Sequence, residues 1–193
     1  MRTLRNSILL TLASKKPYSS KSIKFACMKD LFSKRAREHA QLFDDLCRDQ
    51  SLVQDFDRLC QLGLKLLKDK GKILFCGNGG SASDAQHLAA ELTGRYLKDR
   101  EAIPALALHS NSSHLTAVAN DYGYEETFAR MVQALGNEGD MLIALSTSGN
   151  SDNVVRAAAR ARAQNLFVVG FTGASGGKLL QHSDLCLKIP SMD

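Results

Sequence analysis

At 193 residues, with 44% hydrophobic and 23% charged residues, the chain is sized for one globular domain with its own core, and no apolar run approaches the roughly 20 residues of a membrane span. Trp is absent and aromatic residues are 6%, which argues against a base-stacking nucleic-acid surface. The formal charge of +5 belongs to one end: residues 1–27 hold Arg2, Arg5, Lys15, Lys16, Lys21 and Lys24 and no acid, and without those six charges residues 28–193 stand at −1, so the body carries no basic excess for nucleic acid.

Residues 1–27 are Ser/Thr-rich as well as basic. That is the composition of an organelle transit peptide, but composition alone supports that reading, and the expectation is a disordered extension or translation from a start upstream of Met28; the apolar core of a secretory signal is absent. The domain proper is read as 28–193. The five cysteines, Cys27, Cys47, Cys60, Cys76 and Cys186, form no CxxC pair, which leaves reduced thiols and a cytoplasmic protein as the expectation.

Two helices lead. Leu31, Ala36, Ala40, Phe43 and Leu46 recur near helical spacing over 29–48. Val53, Phe56, Leu59, Leu62, Leu66 and Leu67 form a stripe over 51–70, with Ser51 as the expected N-cap and Gly71 as the stop. The pattern then changes to short apolar runs at 72–76, 104–108, 141–145, 166–171 and 185–189, with helical patterns at 82–93, 112–135 and 151–164. Cys76 closes the first run as a small core residue. Alternating strands and helices predict a parallel sheet of about five strands with helices on both faces. Ligands in such sheets sit beyond the carboxyl ends of the strands.

After the first strand comes Cys76-Gly77-Asn78-Gly79-Gly80-Ser81-Ala82-Ser83, which opens a helix. Glycines permit close approach of the backbone, and a helix start presents N–H groups to an anion. No Lys-Ser/Thr pair follows, so this is not a Walker A loop. Gly77-x-Gly79-x-x-Ala82 matches the loose dinucleotide fingerprint, but the second strand ends at Leu108-His109-Ser110 without the acid that fingerprint needs. After a later strand, Ser146-Thr147-Ser148-Gly149-Asn150-Ser151 places four hydroxyls in six positions. N-capping needs one of them; four suit a phosphate held by hydroxyls and amides without Lys or Arg. His87 and Glu91 stand i, i+4 on the helix that starts at the glycine loop. The spacing is that of two metal ligands, of a carboxylate base beside an imidazole, or of an ordinary surface pair.

Cys76-Gly-Asn-Gly-Gly-Ser81, Asp84-Ala-Gln-His87, Glu91-Leu-Thr-Gly-Arg-Tyr96, Asn120-Asp121-Tyr-Gly and Ser146-Thr-Ser-Gly-Asn-Ser151 together resemble the phosphoheptose isomerase family, over about residues 29–193. The resemblance implies a flavodoxin-like SIS fold and a homotetramer. It also implies conversion of sedoheptulose 7-phosphate to glycero-manno-heptose 7-phosphate, the first step towards ADP-heptose for lipopolysaccharide. By position it implies that Asn78, Gly79, Gly80, Asn120 and Asp121 contact substrate and that Ser146, Thr147, Ser148 and Ser151 hold the phosphate. His87 and Glu91 would ligate zinc, and Glu91 would also contact substrate as the catalytic base.

The family pattern continues beyond the position of Asp193 into a helix whose Gln and His complete the metal site and supply the partner acid. On the resemblance, this chain is expected to lack them and to turn over slowly. His182 is read as a loop residue before the last strand. Two alternatives are a non-catalytic SIS protein that binds a DNA-replication initiator protein and a sugar-phosphate-sensing module. The first resembles this chain over the same length, but its pattern lacks the acid at Glu91 and has Arg at Ser148. Direct binding of nucleic acid or membrane is not expected.

Overall fold

The computed structural model describes residues 25–191; residues 1–24, with all six basic charges of the extension, lie outside the described residues. Two compact units divide between Gln41 and Leu42. In the first, the described residues form the opening part of α1 (Phe25–Arg48), which starts four residues earlier than predicted and pairs Lys34 with Glu38 at 3.7 Å. The second unit begins with the end of α1 and continues through α2 and the sheet.

Helix α2 (Gln50–Lys68) is capped by Asp49, whose Oδ1 accepts from the Leu52 amide at 3.0 Å. The expected cap, Ser51, lies inside the first turn. A carboxylate at the helix start satisfies a free N–H and also faces the positive end of the dipole. The stop differs too: Lys70 takes the left-handed conformation (φ 61°), while Gly71 is needed for space, since a Cβ there would stand 2.9 Å from Leu66 Cγ.

The strands are β1 (Ile73–Cys76), β2 (Ala105–Ala107), β3 (Met141–Ser146), β4 (Phe167–Thr172) and β5 (Leu185–Lys188). All pair in parallel in the order β2-β1-β3-β4-β5, the flavodoxin-like arrangement. Between them run α3 (Gly80–Thr93), α4 (Ser112–Tyr122), α5 (Thr127–Leu135) and α6 (Asp152–Ala163).

Successive strand residues point to opposite faces, and they feed two cores. Leu74, Cys76, Leu142, Ala144 and Val168 pack with Phe128, Val132, Val154, Ala157 and Ala161 of α5 and α6. Ile73, Phe75, Met141, Ile143 and Val169 pack with Leu66 of α2 and Ala85 and Ala89 of α3. The second leading helix therefore covers a sheet face. Cys76 is fully buried, and burial pushes its thiol up to about 12, consistent with an inert core residue.

The helix predicted over 112–135 is broken. Gly123 takes φ 98°, a short 3-10 turn follows at Tyr124–Glu126, and α5 then starts anew. The break is held by Thr127 Oγ1 donating to the Tyr124 carbonyl at 2.7 Å. His182 ends a second 3-10 turn (Lys178–His182) and is not a plain loop residue.

Candidate active site

β1 and β3 are neighbours, with Cys76 paired to Ala144. The chain leaves them in opposite lateral directions, to β2 on one side and β4 on the other. This is the switch point at which such sheets open a crevice. It places the glycine loop, which follows β1, beside the hydroxyl loop, which follows β3.

Two clefts lie along these carboxyl ends. One, of about 270 Å³, is lined by Ser81 and Asp84 of α3, by Ser146 and Thr147, by Thr172 and Gly173 after β4, and by Ser191. The second, of about 340 Å³, shares Thr147, Gly173 and Ser191 and adds Ser148, Asn150 and Ser175. Leu145, Phe171 and Ile189 complete the first, hydroxyls are the commonest polar groups in both, and no Lys or Arg among the described residues lines either.

The hydroxyl loop is shaped by its own contacts. Ser146 Oγ donates to Ser151 Oγ at 3.2 Å, and the Asn150 amide donates to Ser148 Oγ at 3.1 Å. Ser151 occupies the N-cap of α6 yet makes no side-chain capping bond, so capping does not account for the hydroxyls. The Gly173 amide donates to the Thr147 carbonyl at 2.8 Å, tying the loop after β4 to this one.

In the glycine loop, Gly77 is required by space: a Cβ would sit 2.7 Å from the Ser81 carbonyl oxygen. Gly79 takes φ 54° with open space around it, so its requirement is conformational. Gly80 is exposed at the start of α3. Asn78 lies in a polar knot. It exchanges two side-chain hydrogen bonds with Asn153 at 2.9 Å each and accepts one from the Tyr124 hydroxyl at 3.0 Å.

His87 Nε2 and Glu91 Oε1 stand 3.3 Å apart on α3, His87 exposed and Glu91 about one-third exposed. Neither lines either of the two clefts described above. Ser81, Asp84, His87 and Glu91 follow spacings of three, three and four, so they share one helix face; at 1.5 Å per residue Glu91 lies about 10 Å along the axis from Asp84. Arg100 closes the C-terminal end of this helix, donating to the Glu91 and Leu92 carbonyls at 2.7 and 2.9 Å. Asn120 and Asp121 are exposed at the end of α4, joined at 2.9 Å, outside both clefts. The turn that follows them brings Tyr124 to Asn78.

As a zinc site the donor set is incomplete. His87 and Glu91 offer one nitrogen and one oxygen, but no group of three His, Cys, Asp or Glu side chains converges among the described residues. A tetrahedral zinc takes four ligands, or three and a water. The pair fits one edge of such a site and not a whole one.

Sequence reasoning missed Ser81, Asp84, Thr172, Ser191, Asn153 and Tyr124. The helical spacing from His87 back to Asp84 and Ser81 is a signal that could have found those two. Asn153 and Tyr124 had none, because their partner lies 75 and 46 residues away.

The SIS domain profile matches residues 38–173. The phosphoheptose isomerase of Rhodospirillum rubrum is 58% identical over 125 residues, 65% of this chain and 66% of that protein; the match thus spans just under two thirds of that relative's length. The phosphoheptose isomerase of Helicobacter pylori strain P12 is 51% identical over 144 residues, 75% of each chain. The solved phosphoheptose isomerase of Neisseria gonorrhoeae superposes with a TM-score of 0.79 at 38% identity, covering 85% of this chain and 86% of that one.

Proposed function

From its membership of the SIS domain family and, within it, of the phosphoheptose isomerases, to which this chain belongs, we propose that it interconverts sedoheptulose 7-phosphate and glycero-manno-heptose 7-phosphate. The observation that carries the reading is the Cys76–Ala144 register. It sets a hydroxyl loop suited to a phosphate next to a glycine loop suited to close backbone approach.

The phosphate anchors one end of the sugar in the hydroxyl loop, among Ser146, Thr147, Ser148 and Ser151, and so orients the reacting carbons at the other. Glu91 removes the proton α to the carbonyl while the carbonyl oxygen gains a proton, which gives an enediol; return of the abstracted proton to the former carbonyl carbon, with loss of the hydroxyl proton from the neighbouring oxygen, completes the exchange of aldose and ketose. Asn78, Gly79, Gly80, Asn120 and Asp121 contact the sugar. Glu91 lies on the face of α3 that begins at the cleft with Ser81 and Asp84, at a distance that suits a base acting on the far end of an extended phosphosugar.

Zinc belongs to the same proposal. His87 and Glu91 would hold it from α3, and when bound it would stabilise negative charge on a sugar oxygen. A homotetramer and a cytoplasmic location are proposed too. Val53, Phe56 and Leu64 leave apolar side chains exposed on α2, which supports self-association, and the four described cysteines are free thiols. No described helix is long and apolar enough to cross a membrane.

The test pairs an isomerisation assay on sedoheptulose 7-phosphate with calorimetry on the same sugar. Ser148→Arg should abolish binding by filling the hydroxyl loop. Unchanged affinity in that variant would end the phosphate assignment, and no turnover or binding of this sugar by the wild type would end the functional one.

A further inference from the structure

Asn78 meets its neighbours in a way that fixes what it can offer a ligand. Asn153 is 3% exposed at the start of α6. The Val154 backbone N–H donates to Asn153 Oδ1 at 3.0 Å. A backbone N–H can only donate, so this bond determines which end of the Asn153 amide is oxygen. The Asn153 nitrogen must then face Asn78 Oδ1, and the Asn78 nitrogen must face Asn153 Oδ1, at 2.9 Å each. The Tyr124 hydroxyl takes the second acceptor position on Asn78 Oδ1 at 3.0 Å.

A carbonyl oxygen has two acceptor positions and an amide nitrogen two protons. Both acceptor positions of Asn78 are filled, and one of its two protons is used. Among the described residues no other side chain or backbone group bonds it. One N–H remains.

We propose that Asn153 and Tyr124 are positioning residues that make Asn78 a donor-only contact, so that this side chain selects a ligand oxygen that accepts: a carbonyl or an oxyanion rather than a group needing an acceptor. Such a donor gains strength as negative charge develops on that oxygen. The inference rests on the sugar-phosphate reading above, in which Asn78 faces the sugar and the hydroxyl loop faces the phosphate. It adds two residues, Asn153 in the first turn of α6 and Tyr124 after the break at Gly123, and a direction for one hydrogen bond.

The test uses the full chain and two probes, sedoheptulose 7-phosphate and inorganic phosphate, by calorimetry. Asn153→Ala frees the Asn78 amide to rotate and to present its oxygen. Sugar-phosphate affinity should fall about tenfold, the cost of one misdirected hydrogen bond to a charged or polarised oxygen, while phosphate affinity changes less than twofold. Tyr124→Phe, which removes only a hydroxyl from a half-exposed side chain, should give a smaller loss of the same kind. Equal loss of both probes in the two variants, or no loss of either, overturns the proposal. A wild type that binds phosphate but not the sugar phosphate overturns the functional reading instead. The donor-only geometry is then still read by nitrogen-resolved NMR of the unliganded chain. One proton of each Asn78 and Asn153 amide should be shifted downfield and slow to exchange, and both signatures should vanish in Asn153→Ala. Two wild-type Asn78 side-chain protons at ordinary solvent-exposed shifts, both exchanging fast, would overturn it without any ligand.

Discussion

Gly149 is pressed against the carbonyl oxygen of Gly176: a Cβ on Gly149 would overlap that oxygen, and its φ of 65° is one that side chains rarely adopt. Its carbonyl accepts from the Leu179 amide at 2.9 Å, and Asn150 Oδ1 accepts from the Lys178 amide at 3.0 Å. The hydroxyl loop is thus locked to the turn after β4 through backbone contact. Gly149→Ala should cost about 3 kcal/mol from left-handed strain and overlap and should weaken phosphate binding more than tenfold. Thermal unfolding and phosphate calorimetry check both; wild-type affinity in a folded variant would show that the loop tolerates displacement.

At the amino ends of the strands, opposite the site, Asp140 is 3% exposed and serves three donors. They are the Lys72 amide at 2.9 Å, Lys72 Nζ at 2.5 Å and the Asn137 amide at 2.8 Å. It joins the starts of β1 and β3, the two strands whose other ends carry the site. Asp140→Ala strands these donors and should destabilise by about 3 kcal/mol, the scale for breaking a buried pair. The urea midpoint should drop with little change in slope. A shift smaller than that of a typical surface substitution would contradict this role.

The five strands were legible because each is a short apolar run bounded by glycine or polar residues, and a parallel strand buried on both faces needs nothing else. The two loops were legible because their glycines and hydroxyls exceed what turns and caps require. The break at Gly123 was not: Leu115, Val118, Phe128, Met131 and Val132 keep apolar spacing across it, and a glycine within a helical pattern costs only about 1 kcal/mol. The Asn78–Asn153 pair was invisible for another reason. Polar side chains meeting across the fold leave no periodicity, and only the β1–β3 neighbourhood brings them together.

His109 follows β2, its ring edge-on to Phe128 at 6.4 Å between centroids. Both ring nitrogens are buried, and among the described residues neither makes a hydrogen bond of good geometry, though the Ala82 backbone lies near the ring. Burial lowers its pKa from the ordinary value of 6.5, opposed in part by the Ala82 backbone. A histidine whose folded pKa is depressed binds fewer protons folded than unfolded, so stability is complete above pH 6.5 and falls as pH drops below it. His109→Phe replaces the unpartnered nitrogens with carbon at similar volume. It should melt at or above the wild-type temperature at pH 7, and its advantage should widen at pH 5. A constant difference across that range would place the acid-sensitive group elsewhere.

Glu91 separates a catalytic role from a structural one. Its side chain meets His87 at 3.3 Å on a largely solvated face, and exposed pairs of this kind contribute about 0–1 kcal/mol. Its backbone carbonyl, not its carboxylate, receives Arg100, so Glu91→Gln leaves the end of α3 intact. Stability should therefore change by less than about 0.5 kcal/mol. Gln keeps the shape and loses the proton acceptor, so isomerisation should fall about 10²–10⁴-fold, the contribution of a general base, with sugar-phosphate affinity within a few-fold of wild type. Exchange of the substrate's α-proton with deuterated water reads the abstraction step by itself and should fall in parallel with turnover. His87→Ala leaves the carboxylate in place. If His87 acts only through zinc, that variant should lose zinc affinity and regain part of its exchange rate when zinc is raised, whereas Glu91→Gln should not recover at any zinc concentration. Recovery of Glu91→Gln by zinc would make Glu91 a ligand alone and move the base to another residue.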